Sequence, residues 1–72
     1  MKKSNYNVTK IAGNIKKRRL SMDLSRDELA KRAKVNYNTI IKIESGANKN
    51  PTIQTLIGIS KVLDTNVEDL IV

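Results

Sequence analysis

Between Ser25 and Gly46 the sequence allows two short helices and leaves only two residues to join them, which constrains the fold more than any other feature. Ser25-Arg26-Asp27-Glu28 is a capping box: the Ser25 hydroxyl can accept the amide three residues on, while Glu28 reaches back to the amide of Ser25. A helix therefore starts sharply there and runs over about residues 25–33, with Leu29, Ala30 and Ala33 on its buried side. Asn36 can cap a second helix over about residues 36–45, and Gly46 supplies the left-handed conformation that a helix exit needs. Ile40 and Ile43 face inward. Helices joined only by Lys34-Val35 must cross at a large angle, and the small Ala30 and Ala33 permit their close approach.

The remaining chain also reads as helix, with Ile and Leu spaced by three and four, one Pro, three Gly and no alternating strand pattern. A first helix is expected over residues 8–22, with Ile11, Ile15 and Met22 inward and Lys16, Lys17 and Arg18 outward. Gly13 inside it costs about 1 kcal/mol relative to Ala. Thr52, after Pro51, caps a fourth helix reaching about residue 63, and Asn66 with Asp69 resembles a capping pair for a last turn over 67–71. The expectation is an all-α, five-helix domain over residues 8–72, preceded by a flexible basic segment at 1–7.

Seventy-two residues make one small domain, in which a sizeable catalytic cavity is not expected. With neither His nor Cys there is no imidazole base, no thiolate nucleophile and no imidazole or thiolate metal site, so no enzymatic activity, metal or cofactor is expected. No apolar run approaches a membrane span and Met1-Lys2-Lys3 leads into polar residues, which predicts a soluble, cytoplasmic protein with no membrane partner. The net charge is +7. Residues 1–34 carry eleven basic and three acidic side chains, whereas residues 35–72 carry three basic and four acidic ones. That asymmetry points to a polyanion such as nucleic acid, met by the first half.

Taken in register, Ile15, Arg19, Leu24-Ser25, Glu28-Leu29-Ala30, Val35, Thr39-Ile40, Ile43-Glu44-Ser45-Gly46, Pro51-Thr52, Thr55-Leu56, Ile59, Leu63 and Glu68-Asp69-Leu70 resemble the Cro and repressor helix-turn-helix proteins, the XRE family. The resemblance runs from Ile11 to Leu70 and implies a lambda-repressor-like fold whose third helix lies in the major groove of double-stranded DNA. With 40 and 43 buried, the outward residues there are Asn36, Tyr37, Asn38, Ile41 and Lys42. Asn38 can pair with adenine, Lys42 can donate to guanine, and Tyr37 or Ile41 can pack on a thymine methyl. Asn36 is foremost a helix cap and is grouped with the phosphate contacts, together with Ser25, Arg26, Thr39 and Lys49. Lys16, Lys17 and Arg18 add a longer-range field. The family pattern also pairs Arg19 with Glu44 in a structural ion pair that ties the third helix to the first.

Four departures stand out. Asp23 and Asp64 occupy positions where the family commonly has Gly, Arg26 stands where it commonly has Gln, and the loop Ala47-Asn48-Lys49-Asn50 is one residue longer than the commonest form. On the fourth helix Ile53, Leu56, Ile59 and Leu63 form one stripe, leaving Ile57, Val62 and the closing Leu70-Ile71-Val72 as surplus apolar surface. Because members of the family form two-fold dimers, this surplus predicts a homodimer through the C-terminal half. The resulting reading is a sequence-specific DNA-binding transcriptional regulator, a dimeric repressor on a short palindromic operator. An antitoxin-type module that binds a partner protein is the alternative from another class, and a nonspecific RNA or nucleoid binder is a third.

Overall fold

The protein, a computed structural model, is described over residues 8–72, with side chains from Lys10 onward; the expectation of a flexible segment at 1–7 lies outside the described residues. Five helices follow one another: α1 (Val8–Ser21), α2 (Arg26–Ala33), α3 (Tyr37–Ser45), α4 (Ile53–Val62) and α5 (Val67–Ile71). Packing pairs α1 with α3 and α5, and α2 with α3 and α4, while α5 closes on α4. Their inner faces meet in one core, in which Ile15, Leu29, Ile40, Ile43, Ile59 and Leu70 lose essentially all contact with solvent. Among the described residues no helix is long and apolar enough to cross a membrane.

The first helix departs from its expected stripe. Ile11 and Ile15 are buried, but the next inward position is Arg19, and Met22 is 41% exposed. The reason is the turn: α1 ends at Ser21, Asp23 takes a left-handed conformation with φ 61°, and Leu24 fills the core position that Met22 was expected to occupy. Two further non-glycine residues adopt the left-handed region, Lys34 (φ 60°) after α2 and Asp64 (φ 56°) after α4. At Lys34 this lets the amides of Lys34 and Val35 close back on the carbonyls of Lys31 and Ala30, which ends α2 after eight residues.

On α4 the buried stripe is Leu56 and Ile59, continued by Leu63 just past the end of the helix, whereas Ile53 is 63% exposed and so does not belong to it. Ile53 is the first residue of the helix, one turn beyond the reach of the core. Gly58 lies against α2, where a Cβ would come within 2.9 Å of the Ala33 carbonyl oxygen. The C-terminal end also differs from expectation. Leu70 is fully buried in the core rather than surplus, and of the last three residues Val72 alone is exposed. Asn66 makes no side-chain cap bond, and the Asp69 carboxylate instead accepts the Thr65 hydroxyl at 3.0 Å. What holds α5 is Asn14 on α1, whose amide nitrogen donates to the carbonyls of Leu70 at 3.0 Å and Val72 at 3.2 Å. Asn14 thus does for the end of α5 what the next turn of a helix would have done.

Candidate nucleic-acid interface

The site is built on α3 and on what fixes α3 from behind. Asn36 caps the helix through a 2.8 Å bond from the Asn38 amide to its side-chain oxygen, and Gly46 (φ 86°) releases the chain at the other end. Ile40 and Ile43 bury the inner face, so Tyr37, Asn38 and Lys42 stand exposed on the outer face and Ile41 is half-buried between them. Tyr37 is 46% exposed with no core to fill, so a large ring is left facing solvent at the leading end of the helix.

Behind this face sits Glu44, whose side chain is only 3% exposed. It accepts Arg19 Nε at 2.7 Å and Arg19 Nη2 at 3.1 Å, a forked ion pair between α1 and α3. The remaining Arg19 nitrogen, Nη1, donates to the Leu24 carbonyl at 2.7 Å, so the buried guanidinium also fixes the turn into α2. A third donor comes from α2: Arg26 Nε reaches Glu44 Oε1 at 3.1 Å. No buried side-chain polar atom is left unpaired among the described residues. Removing Glu44 would strand the buried Arg19 charge at a cost of ~3–5 kcal/mol, whereas removing Arg19 would leave Glu44 with Arg26 as its remaining partner.

Ser25 begins α2 with both halves of its capping box made: its hydroxyl accepts the Glu28 amide at 3.0 Å and its own amide donates to Glu28 Oε1 at 2.9 Å. That amide, and then the Ser25 side chain, hold the Glu28 carboxyl below its ordinary value of 4.5. The structure gathers Arg26, Ile41 and Glu44 at one end of α3, with Ser25 next to Arg26 in the chain. Asn36 and Thr39 lie at the other, in an open groove of about 560 Å³ shared with Lys34, Thr52, Gln54, Thr55 and Lys61. Lys49 stands apart from both, beside Ile11, Pro51 and Ile71. Sequence reasoning gave Lys16 no individual role, yet it lines the recess beside Arg26. Its spacing of three from Arg19 was the available signal, because residues three apart share a helix face. Among the described residues no group of carboxylates is placed to hold a metal ion.

A helix-turn-helix family model matches residues 15–70, which span the fold from the middle of α1 to the end of the core in α5. The chain belongs to the helix-turn-helix family. As a helix-turn-helix protein it is similar to the N-terminal DNA-binding domain of SinR from Bacillus subtilis, with 38% identity and a TM-score of 0.82 over 83% of this chain and 87% of that one. SinR, the master regulator for biofilm formation, in complex with DNA matches with the same identity and a TM-score of 0.81, covering 83% of this chain and 95% of that chain. The restriction-modification controller protein C.Esp1396I matches at 30% identity and a TM-score of 0.76, over 82% and 75% of the two chains. Among curated proteins no match is found. The five-helix arrangement is that of the lambda-repressor and Cro-like domains, and the Arg19–Glu44 tie holds its third helix in place.

Proposed function

We propose that this helix-turn-helix protein is a sequence-specific regulator of transcription that binds double-stranded DNA and has no catalytic role. The observation that carries this reading is the division of α3 into a face bolted down by Ile40, Ile43 and Glu44 and a face that offers Tyr37, Asn38 and Lys42 to a partner. Backbone phosphates would meet Ser25, Arg26, Asn36, Thr39 and Lys49 and set the register, while the exposed side chains of α3 read base edges. SinR, 38% identical, has been seen on DNA, which supports the reading.

The protein acts as a two-fold dimer. Its best-suited surface is the outer face of α4, where Ile53 and Ile57, four residues apart, are 63% and 40% exposed. Selection of bound duplexes from a random pool tests the function directly. The expected outcome is an enriched motif bound roughly 10³-fold or more tightly than unrelated duplex. Affinity should fall with salt at a log–log slope of about −0.9 per phosphate neutralised. Equal affinity for all sequences would refute it.

A further inference from the structure

At the Ser45 end of α3 the chain carries an uneven set of charges. Glu44 is the single carboxylate there, and it is shared by two arginines, one buried and one half-exposed. Beside them lies a recess of about 230 Å³, lined by Lys16, Arg26, Ile41, Glu44 and Ser45. Lys16 is exposed and enters no ion pair among the described residues, where the other acidic partner in use, Asp27, is taken by Lys31. Three cations therefore surround one anion, a local surplus of positive charge around a concave opening.

The position of the recess matters as much as its charge. Tyr37, Ile41 and Ser45 follow one another at intervals of four, so they form one ridge of α3, and that ridge runs from the exposed tip straight into the recess. Whatever α3 approaches with its outer face must pass beside this opening. The Arg26 guanidinium is held by its Nε against Glu44, and among the described residues neither of its Nη groups makes a hydrogen bond. Tethered in this way it keeps two parallel donors and has already given up part of its rotamer freedom.

We infer that the recess between α1, α2 and α3 is a seat for one DNA backbone phosphate, gripped jointly by Lys16 and the Nη groups of Arg26, with Glu44 as the positioning residue that presents Arg26. This rests on the DNA-binding reading and extends it in two respects: Lys16, on a different helix, acts on the same phosphate as Arg26, and Glu44 serves the grip as well as the fold. Arg26 is the key element, since its planar fork can keep Nε on Glu44 while both Nη groups face a phosphate, a charged, parallel pair of donors that neither Lys nor Gln offers.

Methylphosphonate scanning of the selected duplex tests the inference, each neutral linkage removing one phosphate charge. For the parent protein one linkage per half-site should lower affinity about tenfold or more. Lys16→Gln and Arg26→Gln should each weaken the effect of that same linkage, the double variant should abolish it, and the effect of every other linkage should stay as it was. Both changes leave Arg19–Glu44 intact, and a thermal melt verifies the fold. Arg26→Lys, which keeps the charge but loses the Nε tether, should restore the effect only in part. If the two Gln variants weaken different linkages, or neither weakens any, the shared seat is wrong; if Arg26→Lys restores the full effect, the role of Glu44 is wrong. A parent protein insensitive to every linkage would instead overturn DNA binding itself.

Discussion

Asn38 is exposed on the outer face of α3, and its backbone N–H is engaged by the Asn36 cap while its side chain makes no hydrogen bond among the described residues. Replacing it by Ala should remove a paired contact worth ~1–3 kcal/mol at one base pair while leaving the melting temperature and the salt slope unchanged. Titration against every single-base variant of the selected duplex measures this; undiminished discrimination at all positions would assign the reading of sequence to Tyr37 and Lys42. At this scale the exposed residues of α3 were legible, because a three-to-four spacing between Ile40 and Ile43 fixes which side faces out. Arg19 is legible only through the family pattern, which pairs it with Glu44 as the structure does, since its charge hides from periodicity that it continues the Ile11 and Ile15 stripe; Met22, apolar and well spaced, reads as inward although the chain has already turned away there. Asn14 was equally illegible: its partners lie more than fifty residues along the chain, beyond any local pattern.

Single elements are governed by their ends. Because the Ser25 amide holds the Glu28 carboxyl below its ordinary value, the ionised form favours the folded state, and its contribution is complete above the unfolded value of about 4.5 and lost as pH falls through the lower folded one. Glu28→Gln should thus melt below the parent at pH 7, and the gap should close in acid; a gap independent of pH between 7 and 3 would contradict this. Where α2 and α4 touch, Gly58→Ala gains about 1 kcal/mol of helix propensity but forces a methyl to within 2.9 Å of the Ala33 carbonyl, and overpacking costs ~1–3 kcal/mol. The expected net result in urea denaturation is a loss on the order of 1 kcal/mol, and a more stable variant would show that the two helices can separate freely. The starts of α2, α3 and α4 could be read from sequence since Ser25, Asn36 and Thr52 bond amides only two or three residues away. Asn66 and Asp69 had the same spacing but not the geometry, and nothing in a lysine announces the left-handed turn at Lys34.

For the molecule as a whole, selected sites should contain two inverted half-sites centred about 10 to 10.5 base pairs apart, the spacing at which a two-fold dimer places its recognition helices. Ile57→Lys should weaken binding to the full palindrome more than to an isolated half-site, without loss of fold, as the side chain is already exposed. Equal losses would exclude the α4 face. Ile71, half-buried against the core, would make a poorer test. The charge asymmetry between the two halves was visible in composition, but the surface left for self-association was not: Leu70 turned out to be core, and the exposed α4 residues include Ile53, which its spacing had placed inside. A final property follows from the two aspartates held at positive φ, Asp23 and Asp64, which border α1 and α4 away from the tip of α3. A left-handed conformation costs an L-residue ~1–2 kcal/mol, somewhat less for Asp, whereas Gly adopts it freely and gives back up to ~1 kcal/mol through its looser unfolded chain. The double change Asp23→Gly with Asp64→Gly should therefore raise the melting temperature by a few degrees, roughly 4–8 °C for each kcal/mol in a domain of this size, and an unchanged or lower value would show the corners to be unstrained. The domain thus carries thermal headroom at two corners that lie outside the base-reading residues of α3, where sturdiness can be adjusted without altering those side chains.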